Sequence, residues 1–164
     1  MKNGLVIADA GPIFSLAIID KLELLNQIFD EVKIPEAVWN EITRDKTTKF
    51  YNQLELFFKN KVRGIEGFNE LTFIMDYGES ESVVLYKELN ANFLLVDDRK
   101  ARKIAESLGI NCIGTLGVLL TAKKRGLVKA LRPLFKDLLD NNRYYALQLL
   151  NNLLVSHNEL KIKD

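Results

Sequence analysis

The chain is poor in the side chains that covalent and zinc chemistry depend on, with one cysteine and one histidine in 164 residues. Cys112 has no partner for an internal disulfide, so a reducing compartment is expected. Its place between Asn111 and Ile113 in a short apolar stretch reads as a small buried residue. His157 lies near a polar C-terminal stretch. Zinc sites and Cys/His or Ser/His nucleophilic catalysis thus lose most of their raw material. No apolar run approaches the roughly 18 residues of a membrane helix. The run Leu5–Ala8 is cut by Asp9 too early for a signal-peptide core, so a cytoplasmic protein without membrane contact is expected. Repeats, low-complexity segments and linkers are also missing. With 48% hydrophobic residues, one domain over residues 1–164 is expected. The formal net charge of +1 offers no general attraction for nucleic acid.

What is present is organised around Phe93-Leu94-Leu95-Val96, a short apolar run that ends on Asp97 and Asp98 and leads into Arg99, Lys100, Arg102 and Lys103. A short run of this kind suits a strand buried on both faces, as in a parallel sheet covered by helices. Leu5-Val6-Ile7-Ala8 repeats the pattern and ends on Asp9. Gly11 and Pro12 turn the chain into a helix, and residues 22–29 form a second amphipathic segment. Val32-Lys33-Ile34 is a short strand, after which Pro35 opens a helix whose apolar side is centred between Val38 and Ile42. Glu36 falls on the far side of that helix and Glu41 at the border of the buried face.

Residues 49–59 have helical spacing, and residues 61–65 suit a short edge strand. Gly78-Glu79-Ser80-Glu81-Ser82 starts a further helix, where acids are favoured by the macrodipole. Its apolar residues nearly encircle it, so periodicity leaves Glu79 and Glu81 as alternatives. The helix after Asp98 ends at Gly109, and residues 110–113 form the next strand. Gly114-Thr115 opens a helix over residues 116–124, and helices over 127–140, with Pro133 inside, and 144–155 complete a helical C-terminal third. Strands alternating with helices give an α/β fold: a three-layer α/β/α sandwich with a mostly parallel central sheet of about 4–5 short strands.

In such a sheet, ligands bind in the crevice beyond the carboxyl ends of the strands. Asp9, Asp97 and Asp98 stand there, and Glu41 with Glu79 or Glu81 can join them. Two unit charges about 4 Å apart repel by roughly 4 kcal/mol at an effective dielectric near 20, so the cluster calls for protons or a metal. Oxygen ligands without His or Cys favour Mg²⁺ or Mn²⁺. From Arg99 to Lys136 the only acid is Glu106, so this third of the chain is a candidate phosphate-binding surface. Metal-assisted phosphodiester hydrolysis by activated water fits these residues and needs no covalent nucleophile. A phosphoacceptor receiver domain also gathers acids at strand ends. It expects an acidic pair after strand one and a lysine after the last strand, whereas Asp9 is single and Gly114-Thr115 follows Ile113.

Taken together, Leu-Val-Ile-Ala-Asp-Ala-Gly-Pro (5–12), Pro-Glu-Ala-Val-Trp-Asn-Glu-Ile (35–42), Gly-Glu-Ser-Glu-Ser (78–82), Leu-Leu-Val-Asp-Asp-Arg-Lys-Ala-Arg (94–102) and Gly-Thr-Leu-Gly-Val-Leu-Leu (114–120) resemble a PIN domain. The likeness is closest to the VapC-related branch of predicted PIN-domain nucleic-acid-binding proteins, and it runs over nearly the whole chain. The resemblance implies a single PIN-like domain and an Mg²⁺- or Mn²⁺-dependent ribonuclease site. It also implies RNA as substrate, homodimerisation, and the role of a toxin silenced by a cognate antitoxin protein. By position, Asp9 matches the first acid, Glu41 the second, Glu79 the third with Glu81 as alternative, and Asp98 or Asp97 the last, with Asp98 keeping the spacing of strand, one residue, then acid. Asp9 and Asp98 would be the main metal ligands, with Asp97 in support and Glu79 or Glu81 completing the shell. Arg99, Lys100, Arg102 and Lys103 would contact substrate phosphates. The third acid is Glu where Asp is common, and Val96-Asp97-Asp98 stands for a Thr-x-Asp ending. That departure keeps a second reading in play: a PIN-like module that binds RNA or a partner protein without cutting.

Overall fold

The structure is a computed structural model that describes residues 1–163. Its four strands are β1 (Leu5–Ala8), β2 (Glu31–Lys33), β3 (Phe93–Leu95) and β4 (Cys112–Ile113). They lie in the order β2-β1-β3-β4 with every neighbouring pair parallel. The helices are α1 (Ala10–Ile18), α2 (Leu24–Ile28), α3 (Glu36–Ile42), α4 (Tyr51–Phe58), α5 (Tyr77–Glu88), α6 (Arg99–Ser107), α7 (Thr115–Lys124), α8 (Arg132–Asp140) and α9 (Leu147–Ser156). A 3₁₀ turn at Glu70–Phe73 precedes α5. No helix among the described residues is long and apolar enough to cross a membrane.

Strand alternation divides the interior into two cores. Val6, Ala8 and Leu95 face one core, to which α1, α2, α3, α4, α7, α8 and α9 contribute. Ile7, Leu94 and Val96 face the other, filled by Val83 and Leu85 of α5 and Ala101 and Ala105 of α6. Both sheet faces are thus covered, which is why the strands read as continuous apolar runs. The architecture is the expected α/β sandwich with a parallel sheet.

The strand order reverses between β1 and β3, because the chain moves outward from β1 to β2 and then returns to β1's other side for β3. Ala8 pairs with Leu95, and the Asp9 N–H donates to the Leu95 carbonyl at 2.9 Å. Asp9 and Asp97 consequently leave adjacent strand ends at the reversal, where α/β sheets open a crevice.

Three local expectations change. Residues 61–65 form no strand, and the pairing there is one isolated bridge between Ile34 and Val62. The helix expected over 127–140 starts at Arg132, because Pro133 suits only the first turn of a helix. The Glu159 carboxylate accepts the Leu131 and Arg132 N–H groups at 2.9–3.0 Å and so caps that start from across the chain. The helix expected over 144–155 starts at Leu147, and Tyr144–Ala146 stays outside it. Gly109 behaves as expected, following α6 at φ +79°, a left-handed conformation that costs glycine little.

Candidate active site

Asp9 ends β1 and precedes α1, and it is only 7% exposed. Burial pushes its carboxyl up to about 7, the Ala10 N–H works in the opposite direction, and the charges of Glu79, Glu41 and Asp97 add to the rise. Glu41 is exposed on α3. It reaches the same place as Asp9 across α5: a Cβ on Gly78 would stand 3.2 Å from Glu41 Oε2 and 3.7 Å from Asp9 Oδ1. Gly78 therefore keeps open the space in which these two carboxylates meet.

The alternatives in α5 separate cleanly. Glu79 is half-buried and occupies the third position of the helix, where the Asp76 backbone N–H works against the effect of burial on its carboxyl. Burial raises its carboxyl above the usual range, with the charges of Asp98, Asp76 and Glu41 contributing. Glu79 is thus coupled both to Asp9 and to Asp98. Glu81 is buried on another side of α5, facing the backbone N–H of Ala37 and the charge of Glu36. The structure does not bring Glu81 to the other acids.

Asp97 and Asp98 diverge despite being adjacent. Asp97 is half-buried and takes three hydrogen bonds: Oδ1 from the Thr115 N–H at 2.8 Å, and Oδ2 from Thr115 Oγ1 at 2.6 Å and the Tyr145 hydroxyl at 3.0 Å. Asp98 is exposed and caps α6, accepting the Ala101 N–H at 2.8 Å. With Asp76, Glu79, Lys100, Ala101 and Ile104 it lines a cleft of about 280 Å³. Asp9 and Glu41 do not line this cleft.

The cations divide as well. Lys100 lines the cleft, and Arg99 and Lys103 are exposed. Arg102 pairs with Glu106 at 3.0 Å and donates to the Cys112 carbonyl at 3.5 Å, while its Nη1 stands near Asp97: a Cβ on Gly114 would lie 3.4 Å from Arg102 Nη1 and 3.0 Å from Asp97 Oδ1. It serves the packing of α6 against β4. Cys112 and His157 have no part in the site. Burial raises the Cys112 thiol to about 11, and the His157 ring bonds the Leu153 carbonyl at 2.8 Å.

Asp76 and Tyr145 join the site without having been singled out from sequence. Asp76 carried a usable signal, since it stands directly before the Tyr77–Gly78–Glu79 helix start. Tyr145 carried none, because its contact to Asp97 spans 48 positions.

The donor chemistry, carboxylates with one raised to about 7, suits a hard divalent cation. Among the described residues no three His, Cys, Asp or Glu side chains form a ready-made cage. Mg²⁺ commonly takes one or two carboxylates and completes its shell with water and phosphate, so an open site fits it.

A family model described as PIN domain matches residues 5–159. No curated protein matches the chain. Among solved structures, it is similar to a PilT N-terminus domain protein from the hyperthermophilic archaeon Sulfolobus solfataricus P2, at 18% identity and a TM-score of 0.52. The match covers 72% of this chain and 92% of that one, and it supports the fold alone. The reversal of strand order, the acids gathered beyond it and the family match along nearly the whole length agree, and the chain belongs to the PIN-domain family, a family of nuclease-like modules.

Proposed function

We propose that the protein is an Mg²⁺- or Mn²⁺-dependent endoribonuclease acting as the toxin of a toxin–antitoxin pair. The observation that carries the nuclease reading is the convergence of Asp9, Glu41, Glu79 and Asp97 or Asp98 on one strand-end crevice, with Asp9 pushed up to about 7. A carboxylate raised first by burial and further by the charges of Glu79, Glu41 and Asp97 suits a ligand that offsets both. The toxin role, the antitoxin partner and homodimerisation rest on the motif resemblance.

Asp9 and the Asp97–Asp98 pair would hold the cation, and Glu41 and Glu79 would complete its surroundings or orient water. When bound, the cation supplies water activation and neutralises charge developing on the phosphate. Lys100 stands at the cleft wall, where it would meet a phosphate oxygen, while Arg99 and Lys103 extend the basic face along the backbone of the RNA. Arg102, paired with Glu106, stands on the Asp97 side of the site beside Gly114.

A second reading, an RNA- or protein-binding module that does not cut, is favoured by the longer Glu79 at the position of the third acid, where Asp is common. Incubation of the purified protein with single-stranded RNA and Mn²⁺ separates the two. The nuclease reading expects cleavage that is lost in Asp9→Asn. RNA retained without cleavage by the wild type supports the binding module, and cleavage that persists in Asp9→Asn overturns the assignment of the site.

A further inference from the structure

The connection between α8 and α9 is built into the acid site from the far end of the chain. Arg143 lies against α1, donating Nε to Ser15 Oγ and Nη2 to the Gly11 carbonyl, each at 2.9 Å. Two residues on, the Tyr145 hydroxyl stands 3.3 Å from Ser15 Oγ and donates to Asp97 Oδ2 at 3.0 Å. Ser15 is fully buried and the Tyr145 ring is half-buried, so the hydroxyl has little freedom to leave. A carboxylate offers about four acceptor directions, and with Thr115 and Tyr145 three of those on Asp97 are taken. The orientation of Asp97 is therefore set by α7 on one side and by this connection on the other. The remaining direction is on Oδ1, beside which the Arg102 guanidinium also stands, since a Cβ on Gly114 would lie 3.0 Å from Asp97 Oδ1 and 3.4 Å from Arg102 Nη1.

We propose that Tyr145 is a positioning residue of the acid site. Its phenol, held by Ser15 in the loop that Arg143 anchors to α1, fixes the Asp97 carboxylate in the orientation in which it takes a divalent cation beside Asp9. The inference rests on the metal-dependent reading of the same site and adds to it a contribution from the C-terminal segment. Donors behind a ligating group commonly govern metal affinity by 10-fold or more.

The test is Tyr145→Phe, which keeps the ring and removes only the donor. Tyr144→Phe serves as control, since the hydroxyl of the exposed Tyr144 donates to Asn142 Oδ1 at 2.8 Å and to no other described residue. The melting temperature is followed as Mn²⁺ is titrated, alongside cleavage of single-stranded RNA. The expected result is a Mn²⁺ midpoint raised about 10-fold in Tyr145→Phe and unchanged in Tyr144→Phe, with kcat lowered and KM for RNA unchanged. A lower melting temperature in metal-free buffer with an unmoved midpoint would mean ordinary packing and overturns the proposal. A wild type that responds to Mn²⁺ but does not cleave, with the Tyr145→Phe midpoint still raised, supports the positioning role while removing the nuclease reading. A wild type without any Mn²⁺ response overturns both.

Discussion

Asp97 and Asp98 are consecutive, yet they belong to two different parts of the site. Asp97 turns inward to the strand reversal, where it is tied by Thr115 and Tyr145 and contributes to the electrostatic load on Asp9. Asp98 turns outward, caps α6 and lines an open cleft with Asp76, Glu79 and Lys100. The inner part is held by contacts from distant segments, the outer part by helix starts. Glu79 links them, since its charge acts on Asp9 and it is acted on by Asp98. Identical side chains are thereby given different work, fixed orientation inside and accessible charge outside.

The largest expected effect concerns the inner acid in metal-free buffer. Asp9 has its carboxyl raised from an ordinary 3.8 to about 7 in the folded state. Below the lower value both folded and unfolded chains are protonated there, and the group costs nothing. Between the two values the folded state binds more protons than the unfolded one, so stability falls as pH rises through this window. The loss approaches roughly 4 kcal/mol above the upper value. Glu79, also raised, acts with the same sign. Asp9→Asn should flatten the pH profile and be the more stable protein at pH 7. Chemical denaturation from pH 4 to pH 8 measures this, and a wild-type stability that rises over the range would refute it.

The second prediction sets the two aspartates against each other through their partners. Thr115→Ala removes a charge-assisted hydrogen bond to Asp97 from a fully buried residue and should destabilise by about 2 kcal/mol. Asp98→Ala removes an exposed helix cap and should cost about 1 kcal/mol, whereas Asp98→Asn, which retains a good cap, should cost almost nothing. Equal losses in the three variants, read from denaturation midpoints, would erase the distinction between inner and outer acids.

The smallest effect is at Gly78. Replacing a helical glycine by alanine ordinarily stabilises by about 1 kcal/mol. Here the new methyl meets Glu41 Oε2 at 3.2 Å, and because Glu41 is exposed its flexible end can move aside. Gly78→Ala should therefore melt slightly higher without metal and gain less from added Mn²⁺, since the methyl occupies the space between Glu41 and Asp9. A Mn²⁺ response equal to wild type would show that this space is not used.

Much of this arrangement was legible in order and in kind. The apolar runs ending on Asp9 and on Asp97-Asp98 mark strands whose ends carry acids, and Glu41 follows from the phase of α3. Periodicity does not choose between Glu79 and Glu81, because the apolar residues nearly encircle their helix, and only the motif resemblance prefers Glu79. Packing against α3 turns Glu81 toward Ala37 and leaves Glu79 facing the acids. Arg102 shows another case, a cation that pattern assigns to the basic face and that the fold sets against the Cys112 carbonyl and beside Asp97.

By itself the sequence determined the alternation of strands and helices, the parallel sheet with two covered faces and the presence of acids beyond its strand ends. These follow from hydrophobic period, caps and turns, which act over a few residues. Only the tertiary structure decided how the acids are divided, which one is fixed, and that Tyr145 and Arg143 reach back to Asp97 and Gly11 across 48 and 132 positions. The physical reason is that a side chain's partners at a sheet edge depend on strand order and on which distant segment closes over it, and neither is encoded within reach of a local pattern.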